Sequence, residues 1–175
     1  KRITDRLFKT GIIELIAGVE QGKSPSRRFG QLFRVYLKTL GIPVVSAKDF
    51  QKKKIAILEG SDATLKNFAA QKLGYRGDKG LDLVLKINKQ FYIGETKFIS
   101  TPGGTQDKSF RETMTFISKP ERLARRIAIL DGVVWLTGKG QRTNLYSNLL
   151  RLKSDQLVMS ALLLKEFILA ESKTR

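Results

Sequence analysis

The sequence predicts a mixed α/β domain, a central mixed sheet flanked by helices. Three observations carry that reading. Apolar residues recur at helical spacing early in the chain. Two strand-like runs joined by a two-residue turn lie in its middle. Hydrophobic residues make up 41% of the 175 residues against 28% charged, the balance of a chain that buries a core. One domain accounts for residues 1–175, with a helical N-terminal part over about 1–58 and a core over about 59–137.

In chain order, residues 3–18 read as a helix ending at Gly18. A second helix follows SPSRRFGQLFRVYLKTLG, with Ser24 as cap and Pro25 at the first helical position. Phe29, Leu32, Phe33, Tyr36, Leu37 and Leu40 form its apolar stripe, and Arg27, Arg34 and Lys38 form a basic back, either solvated or set against a polyanion. GIPVVSAKDFQKKKIAILEG reads as a turn, a short strand, a charge run and an apolar run up to Glu59. SDATLKNFAAQKLG is a helix capped by Ser61 or Asp62 and stopped by Gly74. DLVLKI and QFYIGETKF are strands joined at Asn88-Lys89. STPGGTQDKS reads as a loop before a helix over 110–118, and RRIAILDGVVWLTG as two strands about Asp131-Gly132, with Trp135 in the core. Helices over 143–152 and 155–171 finish the chain. The last is apolar nearly all round, which suits a buried core helix or a subunit interface.

Charge and missing residue types narrow the chemistry. Lys and Arg number 33 against 16 acids, a net charge of +17. That excess costs self-repulsion and points to a polyanionic partner, nucleic acid ahead of a charge excess for solubility or ribosome association, and an anionic membrane surface third. With no Cys there is no thiolate nucleophile, disulfide or zinc finger, and with no His there is no Ser–His triad or His-metal site. An enzyme of this composition works through carboxylates and a hard cation such as Mg²⁺. No signal peptide or membrane span is expected, since the apolar region over 157–169 is too short and too interrupted, and a cytoplasmic location follows.

The hairpin carries the chemistry. Side chains two apart on a strand share a face, so Glu95 and Lys97 project together. Asp82 on the partner strand comes beside Glu95 across the ladder. Two neighbouring carboxylates repel unless a cation joins them, and Mg²⁺ accepts such a pair while keeping several waters. Lys97 then positions water or neutralises charge that builds on a phosphate. The competing reading is an Asp–Lys–Glu ion-pair cluster on an exposed hairpin face.

Asp82 followed by Glu95-Thr96-Lys97 at the end of the next strand resembles the signature of the PD-(D/E)XK nuclease superfamily. The run GETKF and then PGGTQ resembles one group of type II restriction endonucleases, and the likeness covers about 59–137. Leu81 stands where the superfamily name has Pro. The resemblance implies a restriction-endonuclease-like core within a single nuclease domain. It implies that Asp82, Glu95 and the Thr96 backbone carbonyl hold Mg²⁺, that Lys97 is the catalytic lysine, and that an upstream acid joins them, Glu59 before Asp62. Gly103, Gly104, Gln106, Lys108 and Arg111 would lie beside the active site and contact DNA, with Arg76 and Lys79 on phosphates. It further implies cleavage of double-stranded DNA at a specific sequence, leaving 5′-phosphate and 3′-hydroxyl ends. A homodimer and a companion methyltransferase in the host would go with that activity. Two rivals remain, a structure-specific repair nuclease or Holliday junction resolvase, and a non-catalytic basic nucleic-acid-binding module.

Overall fold

A computed structural model describes residues 25–101, 104–136 and 144–174, and its strands form one six-stranded sheet. The helix expected over 3–18 lies outside the described residues. The elements are α1 (Pro25–Thr39), β1 (Val44–Val45), α2 (Ala47–Phe50), β2 (Ile55–Leu58), α3 (Asp62–Leu73), β3 (Leu83–Ile87), β4 (Gln90–Ile99), α4 (Gly104–Ile117), β5 (Arg125–Gly132), α5 (Asn144–Leu149), β6 (Leu157–Met159) and α6 (Leu164–Lys173). The strands lie in sequence order from β1 to β6. The pairs β1–β2, β4–β5 and β5–β6 are parallel, and β2–β3 and β3–β4 are antiparallel. This is the α/β architecture that the sequence predicts, a mixed sheet with helices on its faces.

Both faces are covered, so β3 and β5 read as nearly continuous apolar runs. One face carries Val84, Ile93, Ile99, Ala128 and Leu130 against Phe50, Leu65, Ala69 and Phe110 of α2, α3 and α4. The other carries Leu83, Leu85, Tyr92, Ile127 and Ile129 against Phe33 and Leu37 of α1 and Leu164 and Ile168 of α6. Burying each such aliphatic side chain contributes about 1.5–3 kcal/mol. The expected stripe on α1 is the packed one, with Phe29, Phe33, Leu37 and Leu40 buried, while Leu32 falls at its edge, 37% exposed. The Tyr36 hydroxyl donates to the Ala161 carbonyl at 2.7 Å, tying α1 to the end of the chain.

Three expectations are corrected. The second strand expected after Asp131-Gly132 is a 3-10 turn over Val133–Trp135. Gly132, at φ +94°, bends the chain out of the ladder, and a Cβ there would lie 2.1 Å from the Ile99 carbonyl oxygen. Trp135 is packed against the core as expected, but from that turn, where its indole N–H donates to the Leu130 carbonyl at 2.6 Å. The single helix expected over 155–171 is instead strand β6, a 3-10 turn over Ala161–Leu163 and the shorter α6. β5 would otherwise present an open edge, and β6 closes it through Ile127↔Leu157 and Ile129↔Met159. Half-buried Asp131 fixes the turn by accepting hydrogen bonds from the Ser160 hydroxyl and the Ala161 N–H. Leu162, Leu163 and Leu169 are exposed, so the apolar excess of this segment is not all in the core. Finally, α4 starts at Gly104, so Gln106 and Lys108 are helical rather than part of a loop.

The contrast between two glycines tests this account of the strand end. Gly74 caps α3 at φ +75° with open space around it, so Gly74→Ala should cost about 1–2 kcal/mol from the left-handed backbone alone. Gly132→Ala adds a main-chain clash and should cost at least about 3 kcal/mol. Urea unfolding midpoints should rank the two in that order.

Candidate active site

The β3–β4 hairpin turns at Asn88, which takes φ +55°, a conformation that asparagine tolerates better than most residues. The register runs from Ile87↔Gln90 to Leu83↔Gly94, which brings Asp82 level with the stretch that contains Glu95. Asp82 stands in the bend just before β3. Its N–H donates to the Gly94 carbonyl at 2.9 Å, and its Oδ2 accepts from the Thr96 N–H at 2.8 Å. Alternation along β4 sets Glu95 and Lys97 on the face shared by Ile93 and Ile99, under α3 and α4. Thr96 and Phe98 take the other face, where the Phe98 ring meets Phe29 of α1 at 5.6 Å.

Glu95 is 2% exposed, which rules out the exposed ion-pair cluster. Its Oε2 is buried without a hydrogen-bond partner. Burial pushes its carboxyl up from the ordinary value, Lys97 and Lys79 pull it down, and Asp82 and Glu112 raise it further. Burial likewise raises Asp82, opposed by the Thr96 N–H and Lys97, while Asp62 adds to the rise. Two crowded, desolvated carboxylates with one orphaned oxygen are a poor arrangement for the bare protein.

The remaining expected residues spread around this pair. Arg76 and Lys79 lie exposed on the loop between α3 and β3, and the Lys79 ammonium donates to Glu112 Oε2 of α4 at 2.6 Å. That loop wraps Tyr75, whose hydroxyl donates to the Lys79 carbonyl at 3.3 Å and whose ring lies beneath Arg126. Gly104, Gln106, Lys108 and Arg111 occupy the first two turns of α4, and Gly103 lies outside the described residues. Glu59, just past β2, is exposed and pairs with Lys38 at 3.4 Å. Asp62 opens α3 and pairs with Arg34. Arg34 and Lys38, expected on a basic back either solvated or set against a polyanion, both pair with acids, and the Arg27 side chain lies outside the described residues.

Sequence reasoning missed Glu112. Lys79 first, then Lys108 and Lys97, hold its carboxyl below the usual range, and its ion pair with Lys79 ties the loop before β3 to α4. Its position four residues after Lys108 is the available signal, and it becomes visible only once the helix is known to start at Gly104.

The donor set fits a divalent cation. Both carboxylates supply hard oxygen ligands, and the orphaned Glu95 Oε2 is an atom that a cation would satisfy. Among the described residues no group of three or more acidic, His or Cys side chains could hold a metal, so any cation here relies on this pair with main-chain and water oxygens. Removing the buried charge should therefore stabilise the cation-free protein. Glu95→Gln should raise the unfolding free energy in EDTA by about 1 kcal/mol. The pH profile carries the same sign. A carboxyl whose native pKa lies above its unfolded value binds more protons in the native state. Stability then falls as pH rises from the ordinary values of 3.8 and 4.5 through the raised native ones. Denaturant melts across that window should give a shallower decline for Glu95→Gln than for the parent.

No helix among the described residues is long and apolar enough to cross a membrane. Neither the curated proteins nor the solved structures include a match to the chain. A family model does match, over residues 1–171, and it is that of the Tsp45I type II restriction enzyme. Buried Glu95 and half-buried Asp82 beside Lys97 are the arrangement expected of a PD-(D/E)XK nuclease, and the chain belongs to the Tsp45I type II restriction enzyme family, as an endodeoxyribonuclease.

Proposed function

We propose that this enzyme hydrolyses phosphodiester bonds of double-stranded DNA at a specific sequence, that the reaction depends on Mg²⁺, and that it leaves 5′-phosphate and 3′-hydroxyl ends. The observation that carries the reading is the orphaned, buried Glu95 Oε2 next to a second raised carboxyl, Asp82. Asp82, Glu95 and the Thr96 backbone carbonyl hold the cation. When bound, the cation supplies positive charge to the phosphodiester and makes water more acidic. The Thr96 N–H orients the Asp82 carboxylate and opposes the rise that burial imposes on it. Lys97, drawn by both carboxylates, stands ready to neutralise charge that builds on the phosphate. The upstream acids are occupied, Glu59 by Lys38 and Asp62 by Arg34. Glu59 remains the expected extra ligand only if Lys38 lets it go.

The first turns of α4 lie beside this site and suit DNA contact. Gln106 has the geometry to pair with adenine, Lys108 and Arg111 meet phosphate or guanine, and Gly103 and Gly104 leave room for a backbone to approach. Arg76 and Lys79 serve as phosphate contacts. A homodimer would cut both strands of a palindrome, and a methyltransferase would protect host sites in the cytoplasm where both act.

Cleavage of DNAs of known sequence, with Mg²⁺ or EDTA, tests the reading. Discrete bands mapping to one short sequence are expected, absent in EDTA and slowed at least about a hundredfold by Lys97→Ala. Cutting that follows branches or lesions would support a repair nuclease instead. Tight salt-sensitive binding without cleavage would leave only a binding module. Lys108→Ala should weaken binding to all sequences alike and lower the slope of log affinity against log salt by about 1.

A further inference from the structure

One ridge of α1 meets three acids in turn. Gly30, Arg34 and Lys38 are spaced four apart and so share a line along the helix. A Cβ at Gly30 would stand 3.6 Å from Asp82 Oδ1. Arg34 pairs with Asp62, and Lys38 with Glu59. Asp62 is itself stitched to the residues next to Asp82, because its carbonyl accepts from the Leu81 N–H at 3.2 Å and Gly80 packs against its Cβ. The Arg34 pairing is incomplete. Only Nη2 reaches Asp62, and Nε is buried without an acceptor, so the guanidinium fork is not matched to this carboxylate.

We propose that Arg34 interlocks DNA binding with cation binding: in the free protein it neutralises Asp62, and a DNA phosphate that draws it away releases the Asp62 charge beside Asp82 and tightens the hold on a divalent cation. A phosphate offers the guanidinium the matched, two-pronged acceptor that Asp62 does not. Arg34 is then a positioning residue that acts through Asp62. By linkage the cation must strengthen DNA binding by the same factor that DNA strengthens the cation. The inference rests on Asp82 and Glu95 being the cation ligands.

Isothermal titration with Mg²⁺ tests it on the full chain without reading activity. Arg34→Met should tighten Mg²⁺ binding about fivefold or more, and adding Asp62→Asn should cancel that gain. Lys89→Met removes the same charge from the exposed hairpin turn, at the end of β3 remote from Asp82, and should leave Mg²⁺ affinity unchanged. In a Lys97→Ala background, which spares the duplex, a short random-sequence DNA should tighten Mg²⁺ binding, and Arg34→Met should abolish that effect. An Arg34→Met protein that binds Mg²⁺ no tighter than the parent would overturn the interlock. So would an equal gain from Lys89→Met, which would reduce the effect to general charge. Arg34→Lys, a milder change, repeats the DNA arm should the Met variant not fold, and unaltered coupling to DNA there would also count against the proposal. If Asp82→Asn binds Mg²⁺ as well as the parent does, the ligand assignment itself fails and the interlock falls with it.

Discussion

A carboxylate buried in the middle of a sheet is the constraint around which this molecule is built. Glu95 lies on β4 between β3 and β5, opposite Ala128, with helices on both faces and almost no solvent. Burial there costs several kcal/mol for an unpaired charge, on the order of what a small domain has to spare. Asp82 offsets its own cost through the Thr96 N–H, whereas Glu95 keeps an oxygen with no partner. An apolar residue at position 95 would give a more stable sheet. Its absence is understandable only if the site is completed by something positive.

The surroundings are organised to the same end. Cations approach the pair from three directions, Lys97 from its own strand, Lys79 from the loop before β3, and Arg34 from α1 through Asp62. Glu112 restrains Lys79, and Asp62 restrains Arg34, so two of these three cations are held in the free protein. The net charge of +17 therefore acts at two ranges. Far from the site it draws DNA in, an effect that falls with salt. Close to the site it is balanced pairwise, and those pairs are what a phosphate backbone would rearrange.

Much of this was legible in the sequence because it is local. The Asn88-Lys89 turn and the period-two alternation around it determine the hairpin register, and the register alone aligns Asp82 with Glu95. The stripe from Phe29 to Leu40 likewise follows from helical phase. What was not legible depends on contacts distant in sequence. The run 157–169 is as apolar as a helix core, and periodicity does not separate a short buried strand from a helix. The open edge of β5 and the grip of Asp131 on Ser160 decide the matter, 29 residues away. Gly104 at φ +56° looks like loop chemistry, yet it opens α4, and misplacing that start hid Glu112. Phase likewise gave Arg34 and Lys38 a common face but not the acids they meet.

The most direct test of the central claim is anomalous diffraction from crystals soaked in Mn²⁺, a hard cation that takes the same oxygen ligands. A single strong peak within coordination distance of Glu95 Oε2 and an Asp82 oxygen is the predicted result. A peak elsewhere, at the exposed Glu59 for example, or none at millimolar Mn²⁺, would contradict the account and leave the buried carboxylate unexplained.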